Sequence, residues 1–97
     1  MPFRSSHGRI YWSHGNYGRF IAELHEILTN EQVVQLNVFE AYAHTDEGFA
    51  HDKCQSLADM LEISQPKLPT DEARMRAEYL IEALREAHAA KEPLRFT

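Results

Sequence analysis

The sequence predicts a single α+β domain, mostly α, of three to four helices with short N- and C-terminal strands pairing at one edge. Three observations carry this expectation. Apolar residues recur at helical spacing in several segments. Helix-capping signatures stand directly before two of those segments. An aromatic, β-branched stretch near the N-terminus and an alternating one at the C-terminus have the length and composition of short strands. With 97 residues there is material for one hydrophobic core, so residues 1–97 form one domain.

Taken in order, Arg9-Ile10-Tyr11-Trp12-Ser13 is flanked by turn residues, Ser5-Ser6-His7-Gly8 before it and His14-Gly15-Asn16 after it, and reads as a short strand. Tyr17, Phe20, Ile21, Leu24 and Leu28 then fall on one face of a first helix, with Glu23 and Glu26 pointing away. Thr29-Asn30-Glu31-Gln32 has the form of a capping box and opens a second helix. Its residues Val33, Val34, Leu36, Val38, Phe39, Ala41, Tyr42 and Ala43 leave only a thin polar edge. Because Val34, Leu36 and Val38 also alternate, residues 33–42 stay open between helix and strand, with the cap favouring helix. Cys54, Leu57, Ala58 and Leu61 mark a third helix, ended by the two prolines of Ser64–Pro69. Thr70 stands where an N-cap belongs, Asp71 and Glu72 suit the positive end of a helix dipole, and Ala73, Ala77, Leu80, Ile81, Leu84 and Ala87 form the stripe of a fourth helix. Glu72 with Arg76, Arg74 with Glu78, and Glu82 with Arg85 or Glu86 are placed on its solvated outer face. Pro93 halts it, and Leu94–Thr97 reads as a last strand, expected to pair with residues 9–13.

The composition, 43% hydrophobic and 26% charged, suits a folded domain and excludes a disordered chain. A lone cysteine, Cys54, excludes an internal disulfide framework, and residues 1–7 lack the apolar run of a signal peptide. The setting expected is cytoplasmic and reducing. No segment approaches the roughly 20 apolar residues of a membrane-spanning helix, so no membrane partner is expected.

Charge is uneven. The first 20 residues hold Arg4, Arg9 and Arg19 and no acid, while the remainder holds seven cations against all fifteen acids. The basic, aromatic entry segment resembles a nucleic-acid grip in kind, but three arginines fall short of a basic face. Nucleic acid therefore ranks below protein as a partner.

Residues 41–54, Ala-Tyr-Ala-His-Thr-Asp-Glu-Gly-Phe-Ala-His-Asp-Lys-Cys, concentrate metal-capable side chains. His44, Asp46 and His51, with Glu47 and Asp52 nearby, could hold a borderline metal such as zinc through imidazole and carboxylate. Two histidines seven apart match no recognised metal spacing, and His25-Glu26 lacks the second histidine of a zinc-protease helix. Alternatively, the run is a helix end at Ala43 or His44, a positive-φ turn at Gly48, Phe49 tucked into the core, Asp52 near the next N-terminus and Cys54 facing inward. Ser13–Arg19 places two glycines before a helix and invites a phosphate-loop reading, but lacks the lysine and hydroxyl of that motif. No nucleophile is paired with a base at a recognisable spacing, so no catalytic residue and no cofactor is assigned.

In its sequence of features the chain resembles a loose group of small bacterial and phage-encoded proteins of no known activity. The resemblance lies in the aromatic strand ending in Trp12, then Tyr42-Ala43-His44, Asp46-Glu47-Gly48, and Cys54-x-x-Leu57-Ala58-x-x-Leu61 before a final amphipathic helix. This chain has Thr45-Asp46-Glu47-Gly48 where that group has a compact Asn-Asp-Gly-like turn, and Cys54 where it has alanine. The resemblance implies a bacterial or mobile-element origin and a small helical domain. No residue inherits a role from it.

The functional expectation is a protein-binding module, a regulator or inhibitor of a host protein acting without catalysis, with Arg9, Tyr11, Trp12, Tyr17 and Arg19 as contact residues. In a variant of this reading the acidic helices imitate nucleic acid. The alternative is a small metal-binding domain or metal-dependent enzyme built on His44, Asp46 and His51. Homodimerisation is left open.

Overall fold

The buried faces of the last two helices build the centre of the molecule. In a computed structural model describing residues 2–97, the chain runs through β1 (Phe3–Arg4), β2 (Tyr11–Trp12), α1 (His14–Ile27), α2 (Asn30–Ala43), α3 (His51–Ser64), a 3₁₀ turn (Gln65–Lys67) and α4 (Asp71–Ala90). The domain is mostly helical with a small antiparallel sheet, as the sequence predicts. Its most extensive helix pair is α3 with α4. Cys54, Leu57, Ala58 and Leu61 of α3 and Ala73, Ala77, Leu80, Ala83, Leu84 and Ala87 of α4 are all buried.

The caps form where the sequence places them. Ser13 and Thr70 accept from the backbone N–H of Asn16 and Ala73. Thr29 and Gln32 close a reciprocal capping box, so residues 33–42 are helix. Lys91 ends α4 in the left-handed conformation at φ 56°, with Glu92 N–H donating to the Ala87 carbonyl. Pro93 lies beyond that cap and prevents any continuation.

Three details differ from expectation. First, α1 begins at His14 rather than near Tyr17, because Ser13 caps it, so both glycines of Ser13–Arg19 are helical. Second, the C-terminal stretch does not pair with residues 9–13. Those residues face β1, in the register Phe3↔Trp12 and Arg4↔Tyr11, and the C-terminus takes the other edge of β1. There Arg4 and Thr97 exchange backbone hydrogen bonds of 3.1 and 2.8 Å, and Ser6 N–H donates to the Arg95 carbonyl at 2.7 Å. Third, Arg76 is buried (7% exposed) rather than on the outer face of α4. It lies three residues after Ala73 and four before Leu80, on the edge of the stripe, and its head reaches out to Glu72 while its stem packs inward. The other outer-face pairs also differ: Arg74 pairs with Asp71 and Arg85 with Asp59 and Glu62 of α3.

The C-terminal stretch also fastens the segment between α2 and α3. Phe96 N–H donates to the Ala43 carbonyl at 2.8 Å, and Leu94 and Phe49 exchange two bonds of 2.9 Å. Phe39 stacks edge-on against both Phe49 and Phe96, with centroids 5.2 and 5.7 Å away. No helix among the described residues is long and apolar enough to cross a membrane.

Candidate functional site

The five aromatic and arginine residues expected to contact a partner do not share one surface. In β2 successive side chains face opposite ways, so Tyr11 is 60% exposed while Trp12 is buried against Phe20, at 5.6 Å between centroids. Tyr17 belongs to the buried stripe of α1 and is core. Arg19 is exposed on α1. Arg9 makes a two-pronged contact with Glu82 of α4, Nε to Oε1 at 3.0 Å and a terminal nitrogen to Oε2 at 2.8 Å, with its guanidinium 5.0 Å from the Tyr79 ring centroid. That hydrogen bond holds the Glu82 carboxyl below its usual range and raises Arg9 further. Arg9 is thus engaged within the fold, and Arg4 covers the Tyr11 ring at 5.2 Å.

The metal-capable histidines are also separated by function within the fold. His44 caps α2 and stands among Phe3, Tyr17 and Phe96, with centroids 5.0 to 5.5 Å away. Its Nε2 lies 3.4 Å from the Tyr17 hydroxyl, which donates to Glu40 Oε1 at 3.2 Å. Burial, reinforced by Glu40, raises the Tyr17 phenol well above its ordinary value. Burial lowers His44, partly countered by Glu40 and assisted by His14. Asp46 contributes its backbone carbonyl to Arg95. His51, by contrast, opens α3 opposite His88, whose Nδ1–H donates to the His51 carbonyl at 3.0 Å. The His51 Nδ1 is itself buried without a partner. Among the described residues no three His, Cys, Asp or Glu side chains converge as a metal would require. The turn reading of this stretch holds instead. Gly48 has φ 77°, and Phe49 and Cys54 are buried. Burial pushes the Cys54 thiol up to about 11, and it donates to the Ala50 carbonyl at 3.4 Å.

One hydrogen-bonded chain escapes sequence inspection because its last link joins residues 85 apart. Ser6 Oγ lies 2.9 Å from His7 Nδ1, and His7 Nε2 lies 2.8 Å from Glu92 Oε1. The order Ser-His-Glu has the connectivity of an activated hydroxyl. Ser6 Oγ, however, also accepts the Arg95 N–H at 3.0 Å, and Ser5 Oγ donates to the His7 carbonyl. The chain ties the β1–β2 turn to the end of α4 and the C-terminal stretch.

What the tertiary structure adds is an apolar face on α2. Val34 is 61% and Tyr42 44% exposed, and Val38 between them is half-buried. Beside this row a groove of about 300 Å³ opens toward α3, walled by Gln35 and Val38 of α2, by Phe49, and by Asp52, Lys53, Ser56 and Leu57 of α3. It continues at Phe49 and Lys53 into a smaller recess beneath Tyr42. The groove exists because α2 and α3 make far less contact than α3 and α4; Gln35 Nε2 to Ser56 Oγ at 3.2 Å bridges it. The signal was present in the sequence as a helix apolar around its whole circumference, a pattern that fits burial on all sides as well as burial on one side plus a contact face. Comparison with known proteins gives no matching family model and no significant match to a curated protein or a solved structure.

Proposed function

We propose that this chain is a protein-binding module whose contact face is the outer side of α2 with the adjoining groove, acting as small regulators and inhibitors do, by occupying a partner rather than transforming it. The observation that carries this reading is the apolar row of exposed Val34, half-buried Val38 and exposed Tyr42 on a helix whose core contacts are made by Leu36, Phe39 and Ala43. Contiguous apolar surface of this kind favours removal from water by about 25 cal/mol per Å² buried. Tyr42 supplies the aromatic anchor frequent at interface centres. The face replaces the N-terminal arginine and aromatic set as the contact surface, because Trp12 and Tyr17 are core residues and Arg9 is held by Glu82.

The test is affinity capture from the source cells with the intact chain and with Val34→Asp, Tyr42→Asp and Ile63→Asp. Ile63 is 73% exposed on α3, away from the groove residues. Proteins retained by the intact chain and by Ile63→Asp should be lost by both α2 variants. Retention of the same proteins by all four would refute the assignment of the face.

A further inference from the structure

We propose that Ser6 is the nucleophile of an acyl-transfer site that hydrolyses small neutral esters, with His7 as its general base and Glu92 as the residue that positions that base; this activity is separate from binding through α2. A serine hydroxyl is a weak nucleophile until a base takes its proton, and the base is in turn oriented by a third group. All three parts are in place. Ser6 Oγ lies 2.9 Å from His7 Nδ1, and His7 Nε2 lies 2.8 Å from Glu92 Oε1. One tautomer satisfies both contacts: Nε2–H donates to the carboxylate, which leaves the Nδ1 lone pair to receive the Ser6 hydroxyl. The His7 side chain is 16% exposed and the Ser5 hydroxyl donates to its carbonyl, so the base is held while Ser6 itself is open to solvent. The backbone of Glu92 is fixed by the cap of α4, where its N–H donates to the Ala87 carbonyl at 3.0 Å. The Arg95 N–H donates to Ser6 Oγ at 3.0 Å. That bond occupies one lone pair, favours the anionic form of the oxygen, and leaves the other lone pair for attack.

A recess of about 240 Å³ adjoins Ser6, walled by His44, Thr45 and Asp46 after α2 and by Arg95, Phe96 and Thr97 of the C-terminal stretch. The Arg95 and Asp46 side chains carry opposite charges, and burial lowers His44 and so favours its uncharged form. The recess therefore offers an anion no net attraction and suits a neutral ester. The Arg95 guanidinium rests one nitrogen on the Asp46 carbonyl at 3.1 Å, and its further N–H groups are donors for the oxyanion of a tetrahedral intermediate. In the first step Ser6 Oγ bonds the acyl carbon and its proton passes to His7 Nδ1. The carbon–oxygen bond to the alcohol then breaks, and the alcohol leaves with that proton. Water next gives one proton to His7 and its oxygen to the acyl carbon. The acid departs as Ser6 recovers the proton, so no other reactant is needed. Throughout, the Glu92 carboxylate stabilises the imidazolium that forms.

Labelling with an alkyl fluorophosphonate, followed by intact mass and peptide mapping, tests the nucleophile; hydrolysis of p-nitrophenyl acetate tests the full cycle. In the labelling reaction Ser6 Oγ bonds phosphorus, fluoride leaves, and the hydroxyl proton passes to His7. One adduct should form, at Ser6, and Ser6→Ala should lose both the adduct and the ester turnover. His7→Gln should slow both by about a hundredfold or more, the share a general base supplies. Glu92 is 62% exposed and touches His7 rather than Ser6, so Glu92→Gln, with its helices intact by far-UV circular dichroism, reads the chain even if His7→Gln fails to fold. Its maximal labelling rate should fall by about tenfold while the concentration giving half that rate stays unchanged. Absence of an adduct overturns the proposal, as does labelling of the exposed Ser13 or Ser56 as fast as Ser6. Labelling of Glu92→Gln at the parent rate, or an adduct at Ser6 without ester turnover by the parent, overturns it equally.

Discussion

Gly8 offers the sharpest test of how the sheet is seated on the helices. It sits in the β1–β2 turn at φ 73°, and a Cβ built there would lie 2.8 Å from both Cα and Cβ of Ala83 and 3.1 Å from its backbone nitrogen. Two costs follow for Gly8→Ala. A left-handed backbone with a Cβ costs about 1–2 kcal/mol. Overpacking against a buried helix backbone, which cannot swing aside like a side-chain tip, costs about 1–3 kcal/mol more. The sum of about 2–5 kcal/mol is a large share of the roughly 5–15 kcal/mol that stabilises a domain of this size. At about 4 °C or more per kcal/mol, the melting temperature should fall by about 8 °C at the least. Gly18 is the matched control. It lies inside α1 with ordinary φ and nothing within 4 Å of a built Cβ. Gly18→Ala should stabilise by about 0.5–1 kcal/mol, since alanine is the better helix former. Thermal and urea unfolding followed at 222 nm measure both variants, at the wavelength of the helical backbone signal. A Gly8→Ala protein as stable as the parent, or a Gly18→Ala protein destabilised to the same degree, would refute the close approach of the turn to α4.

Two further outcomes follow from an imidazole partly desolvated against aromatic rings and from a buried thiol. His44 has a folded pKa below its unfolded value, so as pH falls below the ordinary imidazole range the unfolded chain takes up the proton first and stability declines, levelling off once the folded pKa is passed. Above the unfolded pKa the group contributes no pH dependence. Urea unfolding at pH 7.5 and 5.5 should therefore show a smaller drop for His44→Gln than for the parent, and an equal drop would remove His44 as the cause. Cys54 is fully buried with its thiol held at about 11, so Ellman's reagent at pH 8 should react only in denaturant; rapid reaction of the folded protein would contradict its inward orientation.

Helices were legible from the sequence wherever a periodic stripe coincided with a cap. Thr29 with Gln32, and Thr70 with the alanine and leucine stripe beyond it, are local in sequence, so neighbouring residues suffice to specify them. The turn at Gly48 and the inward side of Cys54 were readable for the same reason. Arg76 was misplaced because pairing at i+4 says which residues touch, not which side of the helix they share with the core. Tyr17 was read both as core and as contact residue, and burial decides for core. β1 and the true partner of the C-terminal stretch were not legible, since a two-residue strand has no period and the bonds that join it to the C-terminal stretch link the two ends of the chain, as between Arg4 and Thr97.

By itself, then, the sequence determined one mostly helical domain, its caps, and the residues able to form its core, because these follow from spacings of three to four residues. Only the tertiary structure decided which apolar surface was left over. Whether Val34, Val38 and Tyr42 are covered depends on how far α3 packs along α2, a long-range outcome of the tight α3–α4 seam and of the C-terminal stretch binding Ala43 and Phe49. The same long-range packing separated His44 from His51, placing one imidazole among Phe3, Tyr17 and Phe96 and the other opposite His88.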